Sequence, residues 1–130
     1  MANPNIVNVS AIYGNTTYLT PSVTTAVVLL PNAAASNTVL KIDNIVAANV
    51  TSVAASATVS IYTNGAVAQG SAPSGGTAYP IIYQVSVPAN SAVVVVDKST
   101  AFYLQEGTSI SVTSGTASAI TYTMSYEAIS

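Results

Sequence analysis

The chain has 130 residues and only six charged side chains: Lys41, Asp43, Asp97, Lys98, Glu106 and Glu127. It contains no arginine, histidine or cysteine, which excludes a disulfide framework, a thiolate metal site and the Ser/His and Cys/His catalytic pairs. Two lysines offer too little positive charge to neutralise nucleic-acid phosphates or to hold an anionic membrane, so neither partner is expected.

The length suits one domain, residues 1–130, with a core large enough to need no staples. The apolar runs Ala26–Leu30 and Ala92–Val96 end at Pro31 and Asp97. Both fall far short of the ~20 residues of a spanning helix. Met1-Ala2-Asn3-Pro4 has no basic region and no apolar stretch behind it, so no signal peptide is expected. With so few charges, Ser, Thr, Asn, Gln and Ala must cover most of the exterior. An ordinary domain carries about a quarter charged residues, and charge is what keeps small domains apart. This composition therefore predicts self-association or a standing partner.

In chain order, residues 2–10 read as an irregular arm entering a strand that runs to Tyr13, with Gly14-Asn15 as a turn. Thr16–Thr20 reads as a short strand ended by Pro21. Thr24–Leu30 is β-branched and stops at Pro31, and Asn32–Asn37 reads as a loop or one helical turn. Thr38–Ala48 is a strand with Leu40 and Ile42 on one face and Lys41 and Asp43 on the other. Its period slips at Asn44, which predicts a bulge at Asp43–Asn44. Thr58–Thr63 is a strand with Val59 and Ile61 on one side and Tyr62 on the other.

Asn64-Gly65 has the composition of a hairpin turn, but Gly70, Pro73, Gly75 and Gly76 follow, making an uncharged loop of about fourteen residues. Tyr79–Val87 alternates, placing Tyr79, Ile81, Tyr83, Val85 and Val87 on one face. Pro88-Ala89-Asn90, Asp97–Thr100 and Gln105–Thr108 are turns between the apolar runs Ala92–Val96 and Ala101–Leu104 and the alternating Ser109–Ser114. Ile120–Ile129 alternates longest, with Ile120, Tyr122, Met124 and Tyr126 sharing a face. No segment has helical period. The pattern predicts an all-β chain: a single antiparallel β-sandwich, jelly-roll-like, of about eight or more strands.

No catalytic set emerges. A Ser–Lys dyad would need Lys41, which faces outward on its strand, or Lys98, which lies in a turn. The four carboxylates fall at a bulge, two turns and an outward strand position, without the facing geometry of a glycosidase pair. No loop gathers the oxygen ligands of a calcium site, and Ser74-Gly75-Gly76 is not followed by the Lys-Ser/Thr of a phosphate loop. No catalytic residue, metal ligand or cofactor site is assigned. Asn8, Asn15 and Asn49 head N-x-S/T triplets, a number near chance in so Ser/Thr-rich a chain. The eight tyrosines suggest a core or interface, or a sugar-binding platform.

From Val39 onward the order of features is more specific. Val39–Asn49 is followed by the Thr58–Thr63 strand, Val87-Pro88-Ala89-Asn90-Ser91, Val94-Val95-Val96-Asp97-Lys98, Phe102–Ile110 and a terminal Tyr122-Thr123-Met124-Ser125-Tyr126-Glu127. This resembles small virion structural proteins of tailed bacteriophages, including marine and cyanobacterial phages. The resemblance covers about Val39–Ser130. It implies a non-enzymatic capsid decoration (cement) protein on the outer shell, partnered by the major capsid protein and associating with itself, commonly as a trimer. Such a protein is made in the host cytoplasm and located in the virion. A neck or tail component is the alternative within that group. A carbohydrate-binding β-sandwich for host adhesion and a pilin-like or surface-layer subunit are alternatives outside it. The candidate partner contacts are the arm, residues 1–13, through Asn3, Pro4 and Asn5, and the loop through Asn64, Gly65, Pro73, Gly75 and Gly76. Neither segment has an evident reason to be ordered without a partner.

Overall fold

The computed structural model describes Pro4 and residues 7–130. Its strands are β1 (Ile12–Leu19), β2 (Val27–Asn32), β3 (Val39–Asn49), β4 (Ala55–Tyr62), β5 (Ala78–Val87), β6 (Ala92–Val96), β7 (Phe102–Leu104), β8 (Thr108–Ser114) and β9 (Ile120–Ile129). One sheet runs β1-β9-β3-β6, with β7 beside β6 on the same edge of β3, and the other runs β2-β8-β4-β5.

Every pairing is antiparallel, and the early strands meet the late ones in reverse order: β1 with β9, β2 with β8, β3 with β6, β4 with β5. The chain is thus one long hairpin wrapped into two packed sheets, which is the jelly roll the alternation predicts. Leu29, Ile42, Ile45, Val59, Ile110, Val112, Ile120, Tyr122 and Met124 fill the space between the sheets. Each large apolar side chain buried there contributes about 1.5–3 kcal/mol.

The bulge in β3 falls where the slipped period places it, since the register with β9 shifts between Ile42 and Asn44. Both residues flanking the slip, Ile42 and Ile45, are therefore fully buried. Gly107 takes the left-handed φ of 74° in the turn before β8, a conformation that glycine adopts without steric cost.

Three expectations are corrected. Gly14-Asn15 is not a turn but the middle of β1, opposite Glu127 and Tyr126. The long partner strand β9 overrides the local turn preference there. Pro31 does not stop β2 but lies within it, opposite Ser109. It is tolerated because β2 is an edge strand whose outer side needs no ladder donor. The single face proposed for Tyr79–Val87 is broken by two register shifts against β4. Gln84 has a φ of 48° and donates its N–H to Thr58 Oγ1. The neighbours Ile81 and Ile82 both pack against the core, while Tyr79 and Tyr83 are exposed.

Candidate docking surface

The loop between β4 and β5 is a strap across the outer face of the second sheet. Asn64 begins it. The Asn64 side chain donates to the Ser74 carbonyl and accepts from the Ala66 N–H, and its own carbonyl accepts from Ser109 Oγ. Gly65 is buried against backbone: a Cβ there would lie 2.1 Å from the Asn32 carbonyl oxygen and 2.6 Å from that of Thr108. The strap then runs along the free edge of β2, where the Gly70 N–H donates to the Val28 carbonyl and the Val28 N–H to the Ser71 carbonyl. Gln69 crosses to the other sheet and donates to Thr17 Oγ1. The return is closed by the Gly76 N–H on the Tyr62 hydroxyl and the Thr77 N–H on Thr63 Oγ1.

Ser60, Ser109, Ser111 and Tyr62 lie on the outer face of this sheet and are nonetheless buried. The strap's own bonds therefore supply the order that the sequence reading assigned to a partner. Asn64, Gly65 and Gly76 hold the strap in place, Gly75 takes a φ of 74° at its return and Pro73 is half-buried. The exposed part is Ala66, Ala68–Ala72 and Ser74–Thr77. In the arm, Asn3 and Asn5 lie outside the described residues and Pro4 is half-buried. The arm joins the fold where Ala11 and Ser130 exchange backbone bonds, beside the start of β1.

Two buried asparagines carry structural work that no motif announced. Asn32, at the end of β2, donates to the Thr38 and Leu104 carbonyls and accepts from Ser36 Oγ. Asn49, at the end of β3, donates to the Val53 and Val87 carbonyls and accepts from the Thr51 N–H and hydroxyl. Each satisfies backbone groups that the sheets leave unpaired at their ends. Asn49 is 3% exposed, so of the three N-x-S/T triplets this one has no room for a glycan.

The charges are gathered rather than scattered. Five of the six, Lys41, Asp43, Asp97, Lys98 and Glu127, line one open concavity of about 730 Å³ on the first sheet. Lys41 and Glu127 are paired at 3.8 Å. Asp97 caps the one-turn helix Lys98–Thr100. Hydrogen bonds from the Ser99 side chain and backbone hold its carboxyl below the ordinary range, which suits a cap and not a proton donor. Among the described residues, no three acidic side chains stand together to hold a metal ion. The β9 stripe is core: Tyr122 is fully buried, donates to the Thr113 carbonyl, and burial pushes its phenol far above the usual value. The exposed aromatics are instead Tyr13 and Tyr18 on β1, Tyr79 and Tyr83 on β5, and Tyr103 on β7. Comparisons with protein-family models, with curated proteins and with solved structures found no match to this chain.

Proposed function

We propose that this chain is a non-enzymatic structural protein of a bacteriophage particle, a decoration protein that lies on the outer capsid surface and bridges neighbouring capsid subunits. The observation that carries the reading is the exterior. Five tyrosines and several valines are exposed, while nearly all the charge is confined to one concavity. A jelly roll of this kind offers neutral, low-entropy contact surface over most of its area, and tyrosine supplies large amphipathic contacts with few rotatable bonds. A protein that binds only the assembled shell stabilises it by mass action. Particles made without the protein are expected to lose DNA at lower temperature and under milder osmotic shock. Equal resistance with and without it sinks the cement role. Copy number then separates locations, with hundreds per particle on a shell and a ring or two at a neck or tail.

A second reading is supported by the exposed Tyr103, which sits opposite Lys41 on β3, a residue that lines the charged concavity. An aromatic ring beside polar groups is the composition of a sugar site, so host adhesion through glycans is the alternative. A glycan array that gives hits lost in Tyr103→Ala supports it, and a blank array removes it.

A further inference from the structure

The four ends of the two sheets are not treated alike. β2 is covered by the strap at Val28 and carries Pro31. β5 is bulged twice and carries Pro80. The opposite edge of β3 is split into the short strands β6 and β7. All three are devices that prevent an edge from templating another strand. β1 has none of them. Its eight residues pair with β9 in unbroken register, without proline, lysine or bulge, and no other described strand pairs with it.

The Ala11–Ser130 pair exchanges both backbone bonds. In an antiparallel ladder such pairs alternate, so the odd residues of β1 face β9 and Ile12, Gly14, Thr16 and Tyr18 turn their N–H and C=O groups outward. Gln69 Nε2 reaches the Tyr18 carbonyl at 3.4 Å. That long contact leaves the second lone pair free.

We propose that β1 is a self-pairing edge, at which a second copy of this chain adds its own β1 antiparallel about a two-fold axis through Thr16. The occupant follows from the strand's composition. Outward groups must meet outward groups, so even residues pair with even. With Thr16 opposite itself, Gly14 faces Tyr18 of the second copy and Tyr13 faces its Leu19. Gly14 has open space where a Cβ would stand, and Tyr18 is 72% exposed, so the ring of one copy lies over the glycine of the other. Gly14 also lines the charged concavity, whose rim the second copy's Tyr18 then covers. Nothing repels across the seam, because no residue before Lys41 is charged. The strap residue Gln69 and the arm's entry at Ala11 both border this edge. The seam is one strand long, roughly 27 Å at about 3.4 Å per residue, and a small interface of this kind predicts a Kd near the micromolar range. It predicts an even-numbered assembly in place of the trimer that the resemblance implies.

This gives a geometry to the self-association that the composition predicts, and it is read out in solution, separately from the particle stability on which the proposed function rests. Sedimentation of the full chain is expected to show a monomer–dimer equilibrium. Thr16→Pro removes an outward N–H that β9 does not use, and Thr16→Lys sets two like charges face to face. Each is expected to weaken dimerisation at least tenfold with the thermal transition of the monomer retained, and Ala92→Lys, exposed on β6 at the far edge, is expected to leave it unchanged. Thr16→Cys introduces a lone thiol into a chain with none and is expected to oxidise to a linked dimer, while Tyr103→Cys does not. A chain that stays monomeric to about millimolar concentration, or a dimer indifferent to both Thr16 variants, overturns the proposal. So does a Thr16→Cys protein that links no faster than Tyr103→Cys.

Discussion

Gly65 and Asn32 are in backbone contact: the α-carbon of Gly65 rests against the Asn32 carbonyl so closely that a Cβ would stand 2.1 Å from that oxygen. The same carbonyl accepts from the Gly107 N–H, so it is not free to move aside. The strap, the end of β2 and the turn before β8 therefore share one fixed point.

Gly65→Ala is expected to cost about 2–3 kcal/mol, the range for overpacking against atoms that cannot yield. For a chain of this size that lowers Tm by about 7–10 °C. Calorimetry checks it, and a Tm within 2 °C of wild type would show that the strap re-seats without cost.

Tyr62→Phe removes the hydroxyl that receives the Gly76 N–H while keeping the buried ring. The loss is about 1 kcal/mol. It should appear locally, as roughly fivefold faster hydrogen exchange at Gly76 by NMR. Exchange at Ile110 and Val112 in β8 should follow only the global stability.

Asn49→Ala leaves the Val87 carbonyl and the Thr51 N–H without their Asn49 partner, while the Val53 carbonyl keeps only the Thr51 hydroxyl. Unsatisfied buried groups of this kind cost about 2–4 kcal/mol in total. Urea unfolding measures it, and Asn49→Asp should be as damaging, because it keeps the acceptor and loses both donated bonds.

Asp97 sets a pH dependence. Its carboxyl is held below the ordinary value by Ser99, so its contribution is fully present above the unfolded pKa of about 4 and fades as pH falls through the lower folded value. The urea midpoint of wild type should therefore decline below about pH 4. Asp97→Asn still caps but does not titrate, and its profile should be flatter in that window.

Lys41→Ala breaks the pair with Glu127, yet both side chains are more than a third exposed. Such pairs are worth little. The change is expected to move stability by less than about 0.5 kcal/mol, and the pair should be dispensable for folding at any salt concentration.

Alternation, turn residues and the slip at Asn44 were enough to read an all-β sandwich, the β3 bulge, the Gly107 turn and the outward Lys41 and Glu127. These are local properties: period two, positive φ and a one-residue reset are written in neighbouring residues. The errors came where a distant strand decided. Gly14-Asn15 reads as a turn until β9 lies beside it, and the bulges in β5 answer to β4 rather than to any mark within Tyr79–Val87.

The docking elements divide in the same way. That the 64–77 segment is long and uncharged is evident from composition. That it is a strap anchored at Asn32, Val28, Tyr62 and Ser109 is not, since those partners lie on three different strands. The buried asparagines Asn32 and Asn49 carry no motif either. Asparagine at a strand end is common in turns, and only the folded chain shows which carbonyls it satisfies. The sequence by itself determined the class of fold and a near-neutral exterior, because pattern and composition need no long-range information. Only the tertiary structure decided which edges are covered, where the few charges meet and which strand is left open, because each depends on pairings between residues distant in sequence, as between Val28 and Ser71 or Gly14 and Glu127.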